Sequence, residues 1–111
     1  MKAYAVGQLF DVQMNDEVIE YIHKIDDTLK PFGGRFIIHG APPLVLEGSW
    51  SGDLIVIEFP NKDSATKWYS SKEYQAIAGL RNRNSQGTIL IIEGVSEDHK
   101  AIEILDLIKL G

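Results

Sequence analysis

Leu54-Ile55-Val56-Ile57-Glu58-Phe59, stopped by Pro60-Asn61, carries the β-branched run and the turn boundary of a strand. Side chains alternate along a strand, so Leu54, Val56 and Glu58 share one face and Ile55, Ile57 and Phe59 the other. Both faces are mainly apolar. Thr88-Ile89-Leu90-Ile91-Ile92-Glu93 repeats that character and is the most strand-like stretch of the chain. Strands apolar on both sides need cover on both sides of their sheet.

Upstream, Lys2 to Phe10 reads as a strand whose one interior polar residue is Gln8. Asn15 is placed to cap a helix, with Asp16 and Glu17 in its positive first turn. Val18, Ile22, Ile25 and Leu29 recur at helical spacing beside Tyr21 and form one apolar stripe. Pro31 and Gly33-Gly34 end that helix. Arg35 to His39 predicts the second strand, broken by Gly40-Ala41-Pro42-Pro43 and resuming over Leu44 to Glu47. Ser51-Gly52-Asp53 then reads as the turn leading into Leu54 to Phe59. Asp63 or Ser64 starts the next helix, whose inner face carries Ala65, Trp68 and Tyr69. The Ser70-x-x-Glu73 pattern marks a break and a new helix with Tyr74, Ile77, Ala78 and Arg81. After a polar loop and the strand at Thr88, Ser96-Glu97-Asp98 caps a C-terminal helix with Ile102, Leu105 and Ile108 on its stripe.

Strand, helix, strand, strand, helix, strand, with a tail helix, is the split β-α-β order of an α+β, ferredoxin-like sandwich. Its helices cover only one face of a four-stranded antiparallel sheet. The other face is also apolar, and a second copy of the chain is the simplest cover, which predicts a homodimer.

The chain has 111 residues, no cysteine, and a formal charge of −5 with a pI near 5.1. That length suits one domain, here residues 1–95 with a helical extension over 96–111. Absence of cysteine excludes disulfides, thiol catalysis and thiolate metal sites. The acidic balance argues against nucleic acid as a partner. No leader pattern or membrane-length apolar run is present, so a cytoplasmic protein away from membranes is expected.

Gly33-Gly34-Arg35-Phe36, Leu46-Glu47-Gly48-Ser49-Trp50, Ile57-Glu58-Phe59-Pro60 and Trp68-Tyr69-Ser70-Ser71-Lys72-Glu73-Tyr74 with Leu80-Arg81 resemble domain-of-unknown-function family 1330. These motifs span residues 33–81, and the element order extends the likeness from about Lys2 to Gly94. The resemblance implies membership of the dimeric α/β-barrel superfamily, in which two ferredoxin-like sheets pack face to face. That superfamily includes cofactor-independent monooxygenases, isomerases, haem enzymes and ligand sensors, so it implies no single reaction. The tail after Val95 lies outside the resemblance.

Gln8, Arg35, His39, Glu58 and Glu93 are the polar residues of otherwise apolar strands, and grouping them on one face would make a small-molecule site. Within that group, His39 with Glu58 is either a general acid–base pair or a structural hydrogen bond. Trp50, Trp68, Tyr69 and Tyr74 either line a cavity for an aromatic or acyl substrate or pack the core. Arg81 either holds a ligand carboxylate or compensates a helix C-terminus. The three histidines are scattered and predict no metal site, and no cofactor motif is present. Gly48-Ser49-Trp50-Ser51-Gly52 has Trp50 where a nucleophile elbow needs serine. Three functions fit these residues: a cofactor-independent enzyme acting on a small organic acid or aromatic, a non-catalytic binding or sensing module, or a structural dimer.

Overall fold

A computed structural model describes residues 1–106. Strand β1 (Ala3–Phe10) leads into helix α1 (Asp16–Leu29), a 3-10 turn (Lys30–Phe32) and strand β2 (Arg35–His39). Strand β3 (Asp53–Phe59), helices α2 (Lys62–Ser70) and α3 (Lys72–Asn82) and strand β4 (Gln86–Glu93) follow. The strands form one sheet in the order β2-β3-β1-β4, antiparallel at every pairing. This is the ferredoxin-like α+β fold expected from the element order. The sheet is open, with β2 and β4 at its edges.

Burial alternates strictly along β1: Ala3, Ala5, Gly7 and Leu9 lie under the helices, while Tyr4, Val6, Gln8 and Phe10 face the other way. Register then assigns the remaining strands. Ile57 and Ile91 flank Ala5, and Ile55 and Ile89 flank Gly7, which puts all four on the helix side. Small residues in the middle strand leave room for the large ones on its neighbours and on α1. The core joins them to Ile25, Leu29, Phe59, Trp68, Tyr74 and Ile77. Val56, Leu54 and Glu58 lie opposite Val6, Gln8 and Tyr4 on the open face, joined there by Leu90 and Ile92.

Local sequence chemistry explains the helix ends. Asn15 caps α1 through its side-chain oxygen, which accepts from the Val18 N–H at 3.1 Å. A left-handed Gly33 closes the 3-10 turn. The cap of α2 is Asn61, accepting from the Ser64 N–H at 2.8 Å, in place of the expected Asp63 or Ser64. The break after α2 falls one residue later than the Ser70 pattern implies: Ser71 both ends α2 and caps α3, its Oγ accepting from the Tyr74 N–H.

Two expected elements differ. Leu44 to Glu47 is not a strand but part of a long β2–β3 loop, with Leu44 87% exposed. Pro42-Pro43 removes two ladder donors, and the partner side of β3 is already taken by Arg35–His39. Ser51-Gly52-Asp53 therefore ends this loop and does not form the tight hairpin turn. The C-terminal helix does not begin at Ser96. Ser96 to Lys100 makes a turn, with the His99 N–H donating to the Ser96 carbonyl at 3.0 Å, and a 3-10 turn follows at Ala101–Glu103. Ile102 and Leu105 are exposed, and Ile108 lies outside the described residues.

Candidate functional site

Between the sheet and the helix layer lies a cavity of about 260 Å³. Its floor is built from the helix-side residues of β1 and β3, among them Ala5, Gly7, Ile55 and Ile57, and its roof from α1 with Val18, Tyr21, Ile22 and Ile25. Ile22, on the stripe expected to be buried, is 43% exposed because it stands at the rim of this space. Apolar side chains dominate the lining, and polar groups occur at two places.

The buried end is made by Trp68, Tyr74, Tyr21 and Arg81. Tyr74 is 1% exposed, and the Tyr21 and Tyr74 hydroxyls hydrogen-bond each other at 2.9 Å with their rings edge to face. Burial first, and the neighbouring Tyr74 second, push the Tyr21 phenol well above its ordinary range, so it stays protonated. The Arg81 guanidinium carbon stands 5.9 Å from the centre of the Tyr21 ring, and its buried Nε has no hydrogen-bond partner. Trp68 is fixed from behind: its indole N–H donates to Thr28 Oγ1 at 2.9 Å, and that hydroxyl donates to the Ile25 carbonyl at 2.7 Å. A buried hydroxyl is thereby satisfied in both directions.

The outer end is made by Phe36, His39, Gly40, Asp53, Val12 and Met14. His39 stacks on Phe36, with ring centres 4.4 Å apart. Phe36 stands opposite Ile57 on the helix side, and His39 joins it there because β2 carries a register shift between Phe36 and Ile38.

That shift breaks the expected polar face. Arg35 pairs with Glu58 in register and Gln8 with Leu54, so Gln8, Arg35 and Glu58 lie on the open face. His39 is opposite Ile55, and Glu93 opposite Ala3, so both belong to the helix side. His39 and Glu58 therefore stand on opposite faces and make no acid–base pair. Glu58 instead accepts from Arg35 at 3.1 Å and pairs with Lys2 at 3.4 Å. Partial burial alone would raise the Glu58 carboxyl, but the bonds from Lys2 and Arg35 hold it below its ordinary 4.5. A depressed folded value stabilises the native state above the unfolded value and is lost as pH falls through the folded one. We expect the acid limb of a stability–pH curve to flatten in Glu58→Gln, measured by thermal melts between neutral pH and mildly acidic buffer.

Of the other sequence candidates, Trp68, Tyr74 and Arg81 line the cavity, whereas Tyr69 is not among its lining residues. Trp50 lies elsewhere, over a shallow depression of the β2–β3 loop, its indole N–H donating to the Gly52 carbonyl at 3.0 Å. Gln8 donates to the Ser51 carbonyl at 3.2 Å and ties that loop to β1. Sequence reasoning assigned Tyr21 to packing and missed its bond to Tyr74. The available signal was a phenol on the inner stripe of each of two helices, since buried hydroxyls seek partners. Phe36 and Asp53 were missed because only the fold brings them to the outer end. Among the described residues no cluster of His, Asp and Glu has the arrangement to hold a metal ion, and no helix is long and apolar enough to cross a membrane.

The fold and cavity define an α+β, ferredoxin-like protein with an apolar pocket beneath its helices. The chain belongs to the family described as domain of unknown function DUF1330, which matches residues 2–95. No curated protein matches it significantly. Among solved structures, a Rhodopseudomonas palustris protein of unknown function is similar at 12% identity and TM-score 0.63, over 86% of this chain and 83% of that one. A dimeric ferredoxin-like protein of unknown function from Jannaschia sp. CCS1 is similar at 16% identity and TM-score 0.61, over 86% and 100%. SnoaB, a cofactor-independent oxygenase from Streptomyces nogalater, is similar at 12% identity and TM-score 0.56, over 89% and 98%. At such identities the likeness is one of fold.

Proposed function

We propose that the chain is a homodimeric small-molecule protein whose ligand, a small organic acid or aromatic, occupies the cavity between the sheet and α1. The observation carrying this reading is the cavity itself: a mainly apolar, partly open recess with polar groups gathered at its two ends. At about 260 Å³ it lies below the roughly 300–1,000 Å³ of pockets for drug-sized ligands, which sets the scale of the occupant. Cofactor-independent chemistry there is supported by the SnoaB fold and by His39, an imidazole lining the outer end.

A second reading, binding without turnover, has its own observation. The polar groups of the buried end are a guanidinium and two phenols, groups suited to hold or donate to a ligand. Turnover of a bound acid or aromatic that is lost in His39→Ala, with binding retained, supports the enzyme. Binding with no turnover in either protein supports the sensor.

The homodimer is supported by the open face, where Leu90 is 44% and Ile92 54% exposed on one edge strand and Ile38 is exposed on the other, and by the dimeric Jannaschia neighbour. Native mass spectrometry is expected to give twice the 12.4 kDa of one chain. Leu90→Lys, which desolvates a charge in that interface, is expected to weaken association at least tenfold while leaving the circular dichroism spectrum unchanged. A wild-type protein that runs as a monomer at all concentrations would remove the dimer.

A further inference from the structure

We propose that the buried end of the cavity is an anion subsite, in which Arg81 and the Tyr21–Tyr74 pair hold the carboxylate of a small acid whose apolar body lies along β1 and α1. This rests on the cavity being a ligand site and names the chemistry that site selects.

The argument begins with what Arg81 lacks. Its Nε is buried without a hydrogen-bond partner, and none of the ion pairs among the described residues includes it. Glu17, a carboxylate of neighbouring α1, already accepts from Arg83 and from Asn84 Nδ2. Nor is the Arg81 side chain needed to close α3. Asn84 Nδ2 donates to the Leu80 carbonyl at 2.7 Å, and Ser85 Oγ donates to the Arg81 carbonyl at 2.9 Å, so those end groups are satisfied by others. What remains is a permanent cation set against an apolar cavity with no anion opposite it. The guanidinium is partly buried beside the two phenols; burial opposes its charge, and an entering anion offsets that cost.

The phenols complete the donor set. Two hydroxyls carry two protons, and the single bond between them uses one. The accepting hydroxyl keeps its own proton to donate. Guanidinium and phenol together therefore offer donors to an incoming group, which selects a carboxylate over an alcohol, an amine or an amide. The rest of the lining, with Val18, Ile25, Ile55, Ile57 and Trp68, accepts only an apolar body.

Matched acid and amide probes test this: benzoate against benzamide, and 4-methylpentanoate against 4-methylpentanamide. Each is titrated into the full chain and followed by NMR at the Trp68 indole N–H. Each acid is expected to bind on the order of ten- to a hundredfold tighter than its amide. Arg81→Gln is expected to abolish that gap while leaving the amides where they were, and Tyr21→Phe to narrow it. Arg81→Lys, which keeps the charge without the fork, retains part of the preference and serves if the glutamine variant does not fold. Equal binding of acid and amide to the wild type, or an unchanged gap in a folded Arg81 variant, overturns the anion subsite while leaving the cavity reading intact. No response of Trp68 to any of the four probes overturns both.

Discussion

Trp68→Ala is expected to destabilise the protein by about 3–5 kcal/mol, the range for truncating a fully buried aromatic. Trp68 is 2% exposed and touches Phe59 and Tyr74, with ring centres 5.4 and 4.1 Å away. It also borders the cavity, so its removal would merge the new void with existing space and leave little prospect of collapse. The indole N–H is lost as well, though Thr28 keeps its bond to the Ile25 carbonyl. At roughly 4 °C per kcal/mol for a domain of this size, Tm should fall by about 12–20 °C. Trp68→Phe keeps most of the volume and should cost about 1–2 kcal/mol. Melts compared at one protein concentration check this, because association contributes to apparent stability. An alanine variant within 1 kcal/mol of wild type would mean that this ring is not the centre of the core.

Gly87→Ala tests the sheet instead of the core. Gly87, the second residue of β4, has φ of +139°, and an added Cβ would stand inside the van der Waals shell of the Gln8 carbonyl oxygen, part of the neighbouring strand's backbone. A rigid strand cannot yield as a flexible side chain can. Backbone strain of about 1–3 kcal/mol and the loss of about one ladder hydrogen bond put the cost near 2–4 kcal/mol. Gly48→Ala is the control, for Gly48 also has positive φ (+75°) but nothing within 4 Å of the added carbon. It should cost only the left-handed penalty of about 1–2 kcal/mol. Hydrogen exchange should locate the extra loss in Gly87→Ala at the Leu9–Gly87 end of the β1–β4 pairing. Equal costs for the two variants would show that β4 moves aside freely.

The candidate site was legible only in part, and particular residues show why. Trp68 and Tyr74 were readable as inward-facing because helical spacing from Ala65 and to Ile77 and Ala78 defines a face without knowledge of the partner. Arg81 follows from the same spacing, and it reaches the cavity. His39 was misgrouped for a different reason. Uninterrupted alternation places Arg35 and His39 on one face, but the irregularity between Phe36 and Ile38 inserts a residue and inverts every side chain after it. Nothing in Arg35-Phe36-Ile37-Ile38-His39 marks that insertion, since either register satisfies a run this apolar. Glu93 was misgrouped by pairing instead: its face follows from standing opposite Ala3.

From sequence alone came the order of the elements, the apolar stripes of the helices, the cap at Asn15 and a sheet apolar on both sides. These are properties of near neighbours along the chain, where spacing of 2.0 or 3.6 residues decides which side chains share a face. Tertiary structure decided which strand pairs with which residue, and so that Glu58 joins Lys2 and Arg35 on the open face while His39 crosses to the cavity. It also brought Tyr21 against Tyr74 across 53 positions and left Arg81 beside them without an anion. Those outcomes depend on register and long-range contact, in which one residue of slip reverses a face, and no local period encodes that choice.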